Sequence, residues 1–503
     1  MIIGVGETSE RIDAKGFAAL SPAELAARAA QAAIADAASA RPLSPEIDVI
    51  AAIRQFEISG PRTVAPFGRS NNLPRSIARR IGANPKRAIL EPVGGQGPQL
   101  LINEFAQVIG RGETDLALFA GAEAISTVRH LASRGETRDW SETVEGDLED
   151  RGYGVEHLLD PELARHGART PIQVYALYEN ARRARLGRDR AGYALEMGRL
   201  FAPFTEVAAD NPHAMSQEVF SAEALATIDA RNRLVADPFP RRMVARDQAN
   251  QGAAVILASV RKARELGVPE KRWVYLRGGA DVTERMPLQR QDLSAYPAAG
   301  LAGRRALELA GVDQAEVALF DLYSCFPVAV FDVRDELGIG AQDPRPLTVT
   351  GGLPFFGGAG NNYAMHAIAS MVRALRERPG AFGFVGANGG FLSKYSVGIY
   401  STTPARWTGF DSADLQAEID AWLAPAAAPA EAMDGVVETY TIDYGREPHP
   451  GVLVCRTSAG ERFVAAVEDP ALVAQMIAAD PLRARVACRR DDKGRRLAVG
   501  LER

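Results

Sequence analysis

The sequence predicts an α/β protein made of two related halves, with a helical lobe inserted between them and a small antiparallel β-barrel at the C-terminus. Three observations carry this prediction. One order of elements occurs twice, a polar and helix-rich stretch separates the two occurrences, and the residues after 434 fall into short β-branched runs divided by turn signals.

The first occurrence opens with "PAELAARAAQAAIADAA", residues 22–38, an Ala-rich helix, and "EIDVIAAI", residues 46–53, a buried strand. A glycine turn at 94–97 follows. It opens a helix with Leu101, Phe105, Val108 and Ile109 at helical spacing, and the strand "DLALFAGAE", residues 115–123, comes next. The second occurrence runs from "LAGRRALELAGVDQAEVALFDLYSCF", residues 301–326, through "TGGLPFFGGAGNN", residues 350–362. A helix with Met365, Ile368, Val372 and Leu375 on one face leads to "AFGFVGANGG", residues 381–390. Strands alternating with helices predict mostly parallel sheets covered on both faces. The strand-like "GAAVILAS", residues 252–259, belongs to the first half, which we assign to residues 1–125 and 246–270; the second half is 271–421.

Residues 126–245 form the inserted lobe. Its charge density, its helical stretches "TPIQVYALYENARRARLG" and "AGYALEMGRLFAPFTEVAADNPHAMS", and the lack of strand runs set it apart. Insertions of this kind commonly carry substrate specificity. "WLAPAAAPAEAMDG", residues 422–435, is Ala/Pro-rich without an apolar period and reads as a semi-stiff linker, assigned to 422–434. In 435–503, "VVETYTIDY", "GVLVCRTS", "RFVAAVE", "ARVACRR" and "RLAVGL" read as five strands and "DPALVAQMIAAD" as one helix, which together make the barrel.

Composition narrows the function. The 503 residues include 58 basic and 63 acidic side chains, a formal charge of -5 that gives no footprint for nucleic acid or an anionic membrane. Cys325, Cys455 and Cys488 lie far apart, with neither ligand-pair spacing nor a disulfide framework, so no metal is expected and a reducing cytoplasm fits. No segment has the length and apolarity of a membrane span, and the N-terminus lacks the pattern of a secretion signal.

With "GGQGPQLLINEFAQVIGRGETDLALFAGAEA", "GGLPFFGGAGNNYAMHAIA" and "GANGGFLSKYSVGIYST" in place, the duplicated core resembles the thiolase superfamily, close to its sterol-carrier-type branch, over about residues 1–420. With the added barrel, the whole chain is similar to the thiolase-like proteins of type 1, a group named for acetyl-CoA acetyltransferase activity. The resemblance implies a duplicated thiolase fold layered α-β-α-β-α, a CoA thioester as ligand with no other cofactor, and a homodimer through the sheet edge of the first half. The barrel offers a surface for a partner protein. A thiolase acylates a Cys at a helix N-terminus, activates it with a His, shuttles a proton on a second Cys, and stabilises thioester oxyanions with hydrogen-bond donors.

Carried onto this sequence, the nucleophile position falls on Gly94 in the turn Gly94, Gly95, Gln96, Gly97. The histidine position falls on Gly358, and the second cysteine on Ala387 or Asn388 according to a one-residue choice of register. None of these side chains forms a thioester. Pro98 and the amides of Gly94, Gly95 and Gly97 keep a helix start that suits an oxyanion. His366, eight residues past Gly358, shares a helix stripe with Ser370 and Arg373 and reads either as a structural histidine or as a substitute base.

"DLYSCF", residues 321–326, matches the His-Asp-Cys-Phe segment of the sterol-carrier-type branch, with Tyr323 and Ser324 in place of His and Asp. It ends a strand, where parallel α/β units place ligands. Tyr323 reads as an acid or carbonyl donor, or as a hydrogen-bonded core tyrosine; Cys325 reads as a reactive thiol or an inert one. The glycines of "GGLPFFGGAGNN" either present N–H groups to an anion, with Gly358 and Asn361 among the binding groups, or let two helices abut with Asn361 or Asn362 as N-cap. No Walker lysine follows.

Three functions stand at this stage. Ordinary thiolase activity conflicts with Gly94, Gly358 and the missing second Cys. A non-thiolase carbon–carbon reaction on an acyl-CoA would use Tyr323, Cys325, Asn388 and the turn amides. Binding of an acyl-CoA or acyl carrier without turnover, as a sensor or partner subunit, needs only the cleft.

Overall fold

Helix-forming and strand-forming segments of the two halves assemble into two sheets facing each other across a layer of buried helices. The structure is a computed structural model that describes residues 1–155 and 158–502. The first sheet runs in the order Ile2–Ser9, Asn250–Ala258, Leu116–Ala124, Val49–Ile53, Arg87–Glu91, Glu149–Asp150. The second runs Val317–Leu322, Phe382–Gly389, Lys394–Ser401, Tyr275–Thr283.

The duplication is visible in how each Ala-rich helix meets its sheet. Helix Pro22–Ala37 starts at Ser21, whose Oγ accepts from Glu24 N at 3.2 Å in a capping box, and its alanines lie on the first sheet. A Cβ on Gly6 would stand 2.1 Å from the Ala29 carbonyl, so only glycine allows the helix to come this close. Helix Pro297–Ala310 meets the second sheet in the same manner, with a Cβ on Gly278 falling 2.1 Å from the Ala306 carbonyl.

Helices Gly97–Gly110 and Tyr363–Glu377 fill the space between the sheets and touch each other and strands of both. Their apolar residues, Leu101, Phe105, Ile368 and Val372 among them, are fully buried. The result is the α-β-α-β-α layering expected from the resemblance.

The expectation of mostly parallel sheets fails for the second sheet. Only Val317–Leu322 and Phe382–Gly389 pair in parallel; the other two pairings are antiparallel. Residues 390–393 are too few for a crossover helix, so Lys394–Ser401 must return beside its predecessor. In the first sheet, Asn250–Ala258 likewise runs antiparallel to both its neighbours, one of which is the N-terminal strand Ile2–Ser9. That strand is buried on both faces and therefore shows no alternation to read.

The inserted lobe is helical, as its composition predicts, with Pro171–Arg185 and Arg190–Asp210 as its longest members. It also contributes a strand that the sequence does not announce. Glu149–Asp150 adds in parallel to the edge strand Arg87–Glu91, and Arg151 Nη2 donates to Glu104 Oε1 at 2.7 Å while its Nη1 reaches Glu91 Oε2 at 3.1 Å.

Five strands, Asp434–Ile442, Gly451–Arg456, Arg462–Val467, Arg485–Arg490 and Arg496–Glu502, close into the barrel, with helix Pro470–Ala478 against it. All pairings are antiparallel except the closing one, a single parallel pair between Ala466 and Leu497. Cys455 packs in the barrel core and Cys488 against it.

The preceding segment is tied down as well: Ala428 N donates to the Arg462 carbonyl at 2.9 Å and Arg462 N to the Ala426 carbonyl at 2.8 Å. The barrel sits on the inserted lobe through a buried polar joint. Asn180 Nδ2 donates to the carbonyls of Asp237 (3.1 Å) and Tyr440 (3.0 Å), and fully buried Arg183 donates from Nη2 to Asp480 Oδ1 at 3.1 Å. Val452, Val454 and Val464 of the barrel join the main apolar core. Among the described residues no helix is long and apolar enough to cross a membrane.

Candidate functional site

The two glycine-rich turns start the two central helices, and burying a helix start obliges its N–H groups to find acceptors. Gly94 has φ +151°, in the region that favours glycine. Its N–H donates to Asn361 Oδ1 at 3.0 Å, and Asn361 Nδ2 donates to the Arg54 carbonyl at 2.7 Å. Asn362 Nδ2 reaches the Gly121 carbonyl at 2.7 Å. Asn362 stands at the N-cap of helix Tyr363–Glu377, as one alternative had it, but makes no side-chain capping bond; both carboxamides cross to the first half instead.

In the second turn, Gly351 N donates to Thr348 Oγ1 (3.0 Å), Gly352 N to Thr350 Oγ1 (3.1 Å), Leu353 N to Ser324 Oγ (3.1 Å) and Gly358 N to the Arg246 carbonyl (2.7 Å). These amides are held within the protein, and those of Gly94 and Gly358 are not open donors. In the first turn Gly97 N bonds the Gly94 carbonyl at 3.0 Å. The N–H groups of Gly95 and Gln96 have no acceptor among the described residues.

Tyr323 comes to the first turn from the end of strand Val317–Leu322, held by its N–H to the Gly386 carbonyl at 3.1 Å. A Cβ on Gly95 would stand 2.3 Å from the Tyr323 hydroxyl and 2.6 Å from the Asn388 carbonyl oxygen. The phenol therefore lies directly against the turn. Burial, with the nearby Cys325, raises its pKa, so it remains a protonated donor. Asp321, two residues earlier, accepts from Thr348 Oγ1 (3.0 Å) and Val349 N (3.0 Å) and so fixes the approach to the second glycine turn.

Successive strand residues face opposite ways, and this separates Ala387 from Asn388. Gly389 lies against the Gln96 side chain, which puts Ala387 on the face of the first turn. Asn388 turns its side chain to the other face, where Nδ2 donates to the Tyr175 hydroxyl at 2.6 Å and approaches Cys325 Sγ at 3.8 Å. Tyr175 comes from the inserted lobe, stacks on Phe326 at 4.4 Å between centroids, and was not singled out by sequence because it sits inside a helical pattern. Burial pushes the Cys325 thiol up to about 12, so it is protonated at neutral pH and a weak nucleophile. The structure thus groups Tyr323 with the turn, and Cys325 with Asn388 and Tyr175.

His366 is fully buried, and its Nδ1 lies 2.6 Å from Glu7 Oε1 on the N-terminal strand; Arg373, on the same helix stripe, pairs with the same carboxylate. Burial alone would raise the Glu7 pKa, but the hydrogen bond and charge of His366 and the charge of Arg373 outweigh it and hold the carboxyl at about 2. The histidine joins the two halves. Glu123, beside Gly360, is a group sequence gave no reason to select: its Oε1 accepts from Phe56 N at 2.8 Å, and burial raises it to about 8.

A cleft of about 410 Å³ opens beside the second turn, lined by Arg231, Arg241, Arg242, Arg246, Pro354 and Phe355 among others. Its backbone is bonded to both motifs, Arg246 N to the Leu353 carbonyl at 3.2 Å and Ala245 N to the Cys325 carbonyl at 2.8 Å. Among the described residues no carboxylate pairs with these four arginines. Burial, reinforced by the charges of Arg241 and Arg11, lowers the Arg246 pKa; Glu218 and Asp247 also line the cleft, and the charges of Arg242 and Arg231 help to lower the pKa of Asp229. The arginines are scattered through a charged lobe, so no spacing reveals them.

Residues 414–493 match the family described as thiolase-like protein type 1 additional C-terminal domain. Among solved structures, the chain is similar to a monomeric SCP2-thiolase-like protein type 1 from Mycobacterium smegmatis, at 43% identity over 99% of this chain and 98% of that one, with a TM-score of 0.85. It is similar in fold to an Ltp2-ChsH2(DUF35) aldolase (19% identity, 80% of this chain and 97% of that one, TM-score 0.58). It is likewise similar to an acetyl-CoA acetyltransferase from Syntrophomonas wolfei (18% identity, 80% and 98%, TM-score 0.54). No curated protein matches the sequence.

Two measurements test this geometry. Gly95→Ala forces the Tyr323 hydroxyl and a backbone carbonyl aside and is expected to cost roughly 1–3 kcal/mol in chemical denaturation. Gly358→Ala, whose new Cβ would meet nothing closer than the Arg246 carbonyl at 3.2 Å, is expected to cost less than about 1 kcal/mol. Because Glu7 is held below its ordinary 4.5, its contribution is complete above that pH and is lost as pH falls through 4.5 towards 2. Glu7→Gln should flatten the fall in unfolding free energy across that window; an unchanged slope would show that the pair does not couple the halves.

Proposed function

Since the chain belongs to the thiolase-like protein type 1 family, we propose that it binds an acyl-CoA-type thioester and does not form the acyl-enzyme of a thiolase. The observation that carries this reading is Gly94. It takes the nucleophile position of the turn, with φ +151°, and the space where its side chain would stand is occupied by the Gln96 carboxamide, Oε1 lying 2.2 Å from the Cβ position. Gly358 and Ala387, at the other two positions, supply no base and no thiol. Cys325 does not substitute, being protonated and bonded to Asn388 on the other face of the strand.

Ligand binding has support that covalent catalysis lacks. The free N–H groups of Gly95 and Gln96, at the positive end of helix Gly97–Gly110, suit a thioester carbonyl oxygen. The four arginines of the cleft, which make no close ion pair among the described residues, suit the phosphates of the CoA moiety. A second reading, carbon–carbon bond chemistry on the bound thioester, is favoured by the Tyr323 hydroxyl beside Gly95, a group placed to give or take a proton. A fold neighbour of the chain is an aldolase, and that likeness reaches the fold alone.

In self-association, the reading is a monomer. The resemblance implies dimerisation through a sheet edge of the first half, and on one side of that sheet Arg87–Glu91 is already paired with Glu149–Asp150 of the same chain and crossed by the Arg151 ion pairs. The Mycobacterium smegmatis relative is a monomer by its description.

Calorimetry is expected to show binding of acetyl-CoA or butyryl-CoA, weakened at least about tenfold by Arg241→Ala together with Arg246→Ala, and intact-mass analysis after incubation with acetoacetyl-CoA is expected to show no acyl adduct. An adduct, or failure of every CoA ester to bind, sinks the reading. Sedimentation is expected to give the mass of one chain; a concentration-independent dimer would mean that the capped edge is not what limits assembly.

A further inference from the structure

Gln96 sits in the middle of the first glycine turn, yet its side chain takes no part in the bonding around it. The carboxamide folds back across Gly94. Its Oε1 lies 2.2 Å from the place of a Cβ on Gly94 and 1.7 Å from the place of a Cβ on Gly389, so two glycines from different halves make the room it occupies. The residue is 8% exposed, and Oε1 is buried with no donor in reach. Gln99, one turn further along the same helix, shows the usual arrangement: its Nε2 donates to Asn103 Oδ1 at 2.9 Å and its Oε1 accepts from the Tyr400 hydroxyl at 2.8 Å. Buried carbonyl oxygens without a donor are uncommon in general; among the described residues Gln251, Asn362 and Asn388 also carry one, and Gln96 is the one that belongs to the turn whose amides lack partners as well.

We infer that Gln96 is a specificity-determining residue, and that the thioester this site selects carries a hydroxyl on its acyl chain that donates to Gln96 Oε1. The inference rests on the thioester-binding reading above and adds the class of acyl chain. The turn amides that receive the thioester oxygen belong to Gly95 and to Gln96 itself. A group met by the Gln96 side chain therefore lies within a few bonds of the thioester carbon, as the hydroxyl of a 2- or 3-hydroxyacyl chain does. The Tyr323 hydroxyl, against Gly95, is placed to accept from or donate to the same group. A 3-ketoacyl chain would set its carbonyl oxygen against Oε1, lone pair to lone pair, and a saturated chain would leave Oε1 unpaired; the site discriminates against both.

The experiment titrates the full-length protein with CoA, butyryl-CoA, 2- and 3-hydroxybutyryl-CoA and acetoacetyl-CoA. One hydroxyacyl ester is expected to bind at least about tenfold tighter than acetoacetyl-CoA and butyryl-CoA. In Gln96→Leu, which keeps the bulk and removes the acceptor, that ratio is expected to fall to within about threefold, through weaker binding of the hydroxyacyl ester alone. The wild-type ratio decides the matter even where the variant does not fold. A ratio near one, a preference for acetoacetyl-CoA, or a preference that survives in Gln96→Leu overturns the inference and leaves thioester binding standing. If neither CoA nor any ester binds, both readings fail together.

Discussion

Two helix N-termini buried face to face between two sheets are the constraint on which this structure turns. Each start exposes N–H groups that water cannot reach, and the protein answers with side chains, from the opposite half at Gly94 and from the same half at Gly351, Gly352 and Leu353. Asn361 is the clearest case. Its oxygen takes the Gly94 N–H, its nitrogen gives to the Arg54 carbonyl, and one carboxamide so binds the first turn, the second turn and the end of strand Val49–Ile53. Asn362 does the same for Gly121, and His366 with Arg373 draws the N-terminal strand onto the second central helix through Glu7. The halves are joined polar group to polar group across an otherwise apolar core, which fixes their register in a way that apolar packing alone does not.

That joining has a chemical consequence. Donors committed to Asn361, Thr348, Thr350, Ser324 and Arg246 are not available to a ligand, so most of the glycine-rich backbone is structural. Around Gly95, among the described residues, two amides, one phenol and the Gln96 carboxamide oxygen remain without partners. Neither Tyr323 nor Cys325 ionises near neutrality to give an anionic nucleophile, since burial holds both protonated, while burial raises Glu91, beside Gly97, to about 7. In the proposed reading the turn meets the thioester through neutral hydrogen bonds and the arginine cleft meets the phosphates.

The lobe and the barrel extend the same principle outward. Helix Pro171–Arg185 gives Tyr175 to Asn388 on one side and Asn180 and Arg183 to the barrel on the other. A buried arginine and its carboxylate stabilise little by themselves, but losing either partner leaves a stranded charge, so the barrel is bound in one orientation. It is an integral part of the body, sharing the main apolar core through Val452, Val454 and Val464.

Much of this was legible in the chain. The repeated order of helix, strand and glycine turn and the barrel strands depend on local pattern, and local pattern is written in consecutive residues. The parallel character assigned to the second sheet was not, because strand direction depends on whether a connection crosses over, and four residues at 390–393 decide it. Which side chains share the site lies further still from sequence. Ala387 and Asn388 are adjacent in the chain and face opposite layers; Gln96 and Gly389, nearly three hundred residues apart, occupy the same space. The sequence by itself determined the fold, because helix, strand and turn signals are local. Only the tertiary structure decided which polar atoms stay unpaired, because pairing is a property of what the chain brings together across distance.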